Sequence, residues 1–175
     1  MIQCISYLIM KNEFLTQINT YLPNVDYCSF RFVNKYTNII SVTRNVLEPI
    51  EIIEDEGLMV TVIHNGGYGY SATSDLTKKG ILIATEEAKK WADYSSGKLI
   101  HTPAPPDSSI DNGKYFTHEK DGWSKESNKD KVDYLMEINK SLKSKPTISN
   151  WGASFRYNKL ETLFTDTNGS KFRQN

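Results

Sequence analysis

Cysteine is scarce in this 175-residue chain: only Cys4 and Cys28 are present. Two thiols cannot build a disulfide scaffold or a four-cysteine zinc site, and such sparse usage fits a reducing compartment. A charge excess is also missing. Twenty-one Lys and Arg balance 21 Asp and Glu, whereas a dedicated nucleic-acid binder needs a positive surplus to neutralise phosphates. Direct nucleic-acid binding is therefore not expected. No apolar run approaches the roughly 18 residues that cross a bilayer. Ile5–Met10 is apolar, but no basic segment precedes it and no small-residue cleavage site follows. A secretory signal is not expected, and the expected location is cytoplasmic, with no membrane partner.

Chemical motifs are equally sparse. The three histidines, His64, His101 and His118, form no HExxH and no i,i+4 pair, so no helical zinc face is expected. GxSxG is absent, and Gly66-Gly67-Tyr68-Gly69 is not followed by the Lys-Ser/Thr of a phosphate loop. The acidic run Glu54-Asp55-Glu56 reads as a solvated turn rather than an acid–base pair. No catalytic residue and no cofactor is expected within the chain.

What is present is a normal globular load. Aromatic residues make up 11% of the chain, with 10 Tyr, 7 Phe and 3 Trp, too many for a disordered segment. Apolar spacing predicts helices at about 12–22, 75–94 and 129–144. Pro23-Asn24 ends the first. Ser74 or Asp75 caps the second, whose inner face holds Leu76, Ile81, Ala84, Ala88, Trp91 and Ala92. Ser127 and Asn128 cap the third, whose inner face holds Val132, Leu135, Met136, Ile138 and Leu142. Strands are read at 26–34, 37–47, 58–64 and 68–73, with a further short piece at 50–53. Others are expected at 147–157 and 160–165, turning at Asn158-Lys159, with one more starting at Phe172. Asn65-Gly66-Gly67 is a tight-turn signal. Strands in hairpin order with separate helices make an α+β fold with a mostly antiparallel sheet. The expected organisation is a first α+β domain over 1–97, a Pro-rich connecting loop over 98–128, and the start of a second region over 129–175.

The segment from Gly57 to Leu76 runs through a strand, Gly66-Gly67, the aromatic-Gly-aromatic step Tyr68-Gly69-Tyr70, Ser71-Ala72-Thr73 and Asp75-Leu76. It then opens a helix carrying Ala84, Ala88 and Ala92. In order and spacing it resembles the N-terminal domain of the TldD/PmbA metallopeptidase family. Asp26 to Arg31 looks like that family's first strand. The helix at 129–144, the strand at 149–156, Phe164-Thr165 and Asn168-Gly169 look like the start of its second region, so the likeness spans about 10–175.

The resemblance implies a longer parent protein, with this chain as its front part. A zinc site built on an HExxxH-type motif would lie in the absent C-terminal half if the parent belongs to the metal-bearing branch. It also implies proteolysis of peptides or unfolded chains by a homodimer or a paired TldD/PmbA-type dimer, and the family label of modulator of DNA gyrase. On this reading the chain is inactive alone and forms part of the peptide cleft and the subunit interface. The candidate substrate-binding strand is Gly66, Gly67, Tyr68, Gly69, Tyr70 and Ser71, where glycine lets another backbone approach. Gly69→Val is then expected to reduce peptide cleavage without unfolding the chain. The alternative is a stand-alone, non-catalytic α+β module that binds a protein or peptide. An in-frame HExxxH downstream of Asn175 would favour the first reading, and a stop codon there the second.

Overall fold

A computed structural model describes residues 18–21, 23–106, 112–117, 122–143 and 147–175. The strands are β1 (Tyr27–Thr43), β2 (Val46–Leu47), β3 (Glu51–His64), β4 (Gly67–Thr73), β5 (Asn112–Tyr115), β6 (Gly152–Asp166) and β7 (Lys171–Gln174). The two α-helices are α1 (Lys78–Ser95) and α2 (Asn128–Leu142). All seven strands join one sheet in the order β4-β3-β1-β6-β7-β5, with β2 on β1. The β1–β2, β3–β4 and β6–β7 pairs are antiparallel, and β5–β7 is parallel. This is the α+β class that hairpin order implies.

The strands are longer and fewer than the apolar pattern suggests. Residues 27–34 and 37–43, read as two strands, belong to one, β1. The acidic run Glu54-Asp55-Glu56 is strand, not turn: its side chains stand exposed along β3. Asn158-Lys159 does not turn either. It lies inside β6, where the Asn158 Oδ1 accepts from the Thr37 hydroxyl at 2.9 Å. The turn that ends β1 is instead Arg44-Asn45, both at positive φ (50° and 64°). That is the two-residue type I′ geometry matched to strand twist. The expected loop at 98–128 contains β5. Of the helix expected at 12–22, only Ile18–Tyr21 lies within the described residues, and Asn19–Tyr21 is a single 3₁₀ turn.

Contacts divide the chain into two compact units. Unit 1 comprises residues 1–34, 56–116 and 161–175. Its core joins Cys28, Phe30 and Phe32 of β1 to Leu58, Val60 and Val62 of β3, under Ile81, Ala84, Ala88 and Ala92 of α1, with Ile18 and Leu163. Full burial of each large apolar side chain contributes roughly 1.5–3 kcal/mol. α1 starts later than expected: Thr77, not Ser74 or Asp75, is the N-cap, and its Oγ1 accepts from the Gly80 N–H at 3.2 Å. Asp75 instead accepts from the Thr77 N–H at 3.0 Å and so orients the cap. Trp91, expected on the buried face, is 57% exposed. The turn that follows β6 meets β1 where the Thr167 N–H donates to the Cys28 carbonyl at 2.9 Å.

Unit 2 comprises residues 35–55 and 117–160. Its buried core is Ile40, Val42 and Leu135, ringed by Trp123, Val132, Met136, Ala153 and Phe155. The inner face of α2 carries Lys131, Leu135 and Asn139, so two of its three buried residues are polar. Leu142, expected inside, is 40% exposed. The Asn139 amide is fully buried. It donates to the Val42 carbonyl at 2.8 Å and accepts from the Asn45 N–H at 2.6 Å, which fixes the β1–β2 turn to the helix. Lys131 is stretched along its helix: Nζ donates to the Glu126 carbonyl at 2.6 Å and lies 4.2 Å from the Trp123 ring centroid.

Candidate functional site

The candidate strand is β4, the returning arm of the β3–β4 hairpin. Its turn, Asn65-Gly66, has positive φ at both residues (50° and 73°), again type I′. Two hydrogen bonds hold the turn, with His64 close by. The Asn65 N–H donates to Asp26 Oδ2 at 2.7 Å, the Ser96 hydroxyl donates to the Asn65 carbonyl at 2.6 Å, and His64 Nδ1 lies 3.8 Å from Asp26 Oδ1.

In this register His64 pairs with Gly67, Val62 with Gly69, and Val60 with Ser71. A two-residue turn makes its closing pair hydrogen-bonded, so Gly67, Gly69 and Ser71 bond back to β3. The N–H and C=O of Tyr68, Tyr70 and Ala72 point the other way. β4 is the terminal strand of the sheet order, so these groups line its outer edge. At the first station the Ser95 hydroxyl accepts from the Tyr68 N–H and contacts the Tyr68 carbonyl, both at 2.8 Å. Tyr70 and Ala72 follow without such a cap among the described residues.

The six candidate residues separate by side. Gly66 is in the turn. Gly67, Gly69 and Ser71 are buried, whereas Tyr68 and Tyr70 are each 45% exposed. The backbone that approaches the glycines is that of α1. A Cβ built on Gly67 would stand 1.9 Å from the Ala92 carbonyl oxygen, and one on Gly69 would stand 1.8 Å from that of Ala88. These are not distances at which atoms coexist, so the two glycines and the alanines of α1 form one close apposition. The expectation that Gly69→Val spares the fold is therefore corrected: valine would push helix and strand apart. Ser71 completes that side, donating to a Glu87 carboxylate oxygen at 3.2 Å. Ser95, Ser96 and Asp26, which fix the hairpin, carry no sequence signal beyond helix-end and turn propensity.

Groups that could do chemistry are few. Burial pushes the Cys28 thiol up to about 12, so it is neither a thiolate nor a nucleophile at neutral pH. Burial, with Asp166 nearby, also raises the Tyr27 phenol; its hydroxyl lies 3.4 Å from Asp166 Oδ2. Asp166 has a structural task, accepting from the Ser170 N–H at 2.9 Å in the β6–β7 turn. Among the described residues no group of three or more His, Cys, Asp or Glu stands close enough to hold a metal ion. No described helix is long and apolar enough to cross a membrane.

Residues 28–92 match the family model described as PmbA/TldA metallopeptidase domain 1. No curated protein sequence matches the chain. Among solved structures, it is similar to a proposed modulator of DNA gyrase from Bacteroides thetaiotaomicron (TM-score 0.66, 12% identity, 93% of this chain and 38% of that one). It is also similar to a proposed modulator of a DNA gyrase from Thermotoga maritima (0.60, 14%, 95% and 37%). A third similar structure is TldE from Thermococcus kodakarensis (0.58, 17%, 94% and 37%). The chain thus spans less than two-fifths of the length of each of these structures, at identities that speak for the fold alone. The family match and the shared fold agree: residues 28–92 are similar to the first domain of the PmbA/TldD family, and the chain has the fold of these structures.

Proposed function

We propose that this chain serves as the first-domain part of a PmbA/TldD-type peptidase and holds an extended peptide against the outer edge of β4. The observation that carries this reading is the open backbone of Tyr70 and Ala72, beside the exposed rings of Tyr68 and Tyr70. A peptide added as a further strand gains main-chain hydrogen bonds from such an edge, and flat aromatic area on alternate residues grips it without selecting one sequence. The rigid footing is α1, whose backbone contact fixes β4 and whose Ser95 closes the first station of the edge. The family name implies a metallopeptidase, but the described residues offer no metal-ligand set, so no step through a metal is assigned to them. Zinc chemistry, a paired subunit and a cytoplasmic setting belong, on this reading, to the longer protein that the family implies.

Ala72→Pro tests the edge. It deletes one outward N–H and leaves the β3–β4 ladder intact. In a longer protein carrying this domain, peptide cleavage should fall about tenfold, the loss of one or two main-chain bonds, with thermal stability little changed. In the isolated chain, anisotropy with an unstructured labelled peptide should show the matching loss of binding. Unaltered cleavage and binding would sink the reading. Peptide binding by a chain whose gene encodes no metal motif would favour the stand-alone module.

A further inference from the structure

A second open edge lies in unit 2, and we propose that it takes an extended basic segment of a partner protein as an added strand. β2 and the first half of β3 form the return arm of the Arg44-Asn45 hairpin. The Glu48 N–H donates to the Ser41 carbonyl at 2.9 Å, which keeps this arm on β1. β4 pairs with β3 only from Leu58 onward, and the sheet order gives β3 no neighbours but β1 and β4. Among the described residues, the side of Glu51–Asp55 facing away from β1 therefore has no strand.

The direction of the backbone groups follows from the hairpin register. His64 bonds to Gly67 across the β3–β4 turn, so the even-numbered residues of β3 point away from β1. Glu48, also even-numbered, still donates to β1, so the phase changes at the break around Pro49 between β2 and β3. Within β3 the alternation carried back from His64 sends the N–H and C=O of Ile52 and Glu54 to the open side. Pro49, which cannot donate to a ladder, sits where the arm breaks between β2 and β3, a position typical of an edge.

The side chains define the partner. All five residues from Glu51 to Asp55 are exposed; Ile52 is 60% and Ile53 is 49% exposed. Successive strand residues face opposite ways, so one face presents Glu51, Ile53 and Asp55, and the other Ile52 and Glu54. Each face thus has an uncovered isoleucine beside carboxylates, and Glu51, Glu54 and Asp55 form no ion pair among the described residues. Within 48–56 there are five acids and no Lys or Arg. Antiparallel pairing of two copies centred on Ile53 would set Glu51 against Asp55 on both sides, and like charges directly opposite destabilise a strand pair. A second copy is thereby disfavoured. A strand reading basic–apolar–basic on one face matches both the carboxylates and the isoleucine. This edge is distinct from that of β4, and the proposal does not depend on the peptidase reading.

The probe is a short labelled peptide carrying Lys–Val–Lys on one face and Val–Lys on the other, titrated by anisotropy into the whole chain. The same peptide with glutamate for lysine is the control. The expected result is saturable binding of the lysine peptide alone, weakening as salt rises. Ile52→Pro, which removes an outward N–H but no β1 bond, should abolish it. The triple variant Glu51→Lys/Glu54→Lys/Asp55→Lys should weaken it by about tenfold or more, three charge pairs' worth, and should gain binding of the glutamate peptide. The triple variant leaves the strand backbone unaltered, so it keeps the test decisive if Ile52→Pro does not fold. Equal binding of both peptides, or lysine-peptide binding unchanged in either folded variant, would overturn the proposal. So would a concentration-dependent dimer of the parent chain that Ile52→Pro dissolves, because the occupant would then be a second copy.

Discussion

The two units of this chain close a helix onto a sheet by opposite means. In unit 1 the contact is made by what is missing: Gly67 and Gly69 have no side chain, Ala84, Ala88 and Ala92 have almost none, and backbone meets backbone. In unit 2 the buried apolar set among the described residues is only Ile40, Val42 and Leu135. The remaining contact is supplied by the half-buried Val132, Met136 and Ala153, by aromatic rings and by one amide. Trp123 stacks on Tyr157 at 5.3 Å and 8°, Tyr134 on Phe155 at 5.8 Å and 13°, and Asn139 is bonded on both sides. Close apposition tolerates no added atom, whereas a rim of half-exposed rings can shift. A polar peg tolerates no lost partner. Each unit is thus fragile to a different class of substitution.

The largest effect is expected where an atom is added to unit 1. Gly69→Val places a branched side chain where a Cβ alone would be 1.8 Å from the Ala88 carbonyl oxygen and 2.5 Å from the Ala92 nitrogen. Nothing there is the movable end of a side chain. The cost is about 3 kcal/mol or more, at or beyond the upper end for overpacking, and urea denaturation should show a greatly lowered midpoint or no folded baseline. The same change in unit 2 is the control. A Cβ on Gly152 would meet the Val42 carbonyl oxygen at 3.3 Å and the Thr43 hydroxyl at 3.4 Å, and valine suits a strand, so Gly152→Val should stay within about 1 kcal/mol of the parent. Similar midpoints for the two variants would break the comparison.

The next effect is expected where a partner is removed from unit 2. Asn139→Ala leaves the Val42 carbonyl and the Asn45 N–H without their bonds to the Asn139 amide. Leaving buried polar groups unsatisfied costs about 1–3 kcal/mol, and the type I′ turn at Arg44-Asn45 also loses its anchor. Faster hydrogen exchange at Asn45, beside a lowered denaturation midpoint, would mark this as loss of the peg. A midpoint within error of the parent would show that the aromatic rim suffices, and would make the two units less different than their contacts suggest.

The contrast also explains what could be read from the chain beforehand. Unit 1 was legible: Asn65-Gly66 announces its turn, alternation marks β4, and alanines four apart mark the inner face of α1. Even there, Gly67 and Gly69 show only that something approaches, not what. The sequence could not distinguish a peptide from the protein's own helix. Unit 2 was less legible because its strands are polar at points where pairing, not burial, holds them. Asn158 bonds to Thr37 inside β6, and the acidic run of β3 sits on an open edge, so both read as turns. Its true turn, Arg44-Asn45, carries no glycine, and Arg44 is held at positive φ by the structure around it rather than by preference. Asn139 and Lys131 sit on the buried face of α2 because specific acceptors wait for them, and hydrophobic periodicity is blind to acceptors.

The smallest effect sharpens the same comparison at the helix caps. α1 has a single cap bond, from the Gly80 N–H to Thr77. α2 has a reciprocal box: Ser127 Oγ accepts from the Asp130 N–H at 3.1 Å, and the Asp130 carboxylate accepts from the Ser127 N–H at 3.2 Å. Hydrogen bonds from the Ser127 hydroxyl and backbone hold the Asp130 carboxyl below its usual range. A carboxylate whose pKa is lower folded than unfolded stabilises the fold above its unfolded pKa, about 3.9, and loses that contribution as pH falls through the folded value. Ser127→Ala should therefore cost on the order of 1 kcal/mol at neutral pH, and more than Thr77→Ala. The gap between Ser127→Ala and the parent should narrow below about pH 4, as the parent's Asp130 is protonated and the bond its carboxylate accepts from the Ser127 hydroxyl, which the variant lacks, weakens. It should not close, because the bond from the Asp130 N–H to Ser127 does not titrate. Thermal melts across pH 3–7 check the sign. A gap that widens on acidification would mean that the box is not what holds the start of α2, and that its aromatic neighbours set the helix there as they set the rest of the unit.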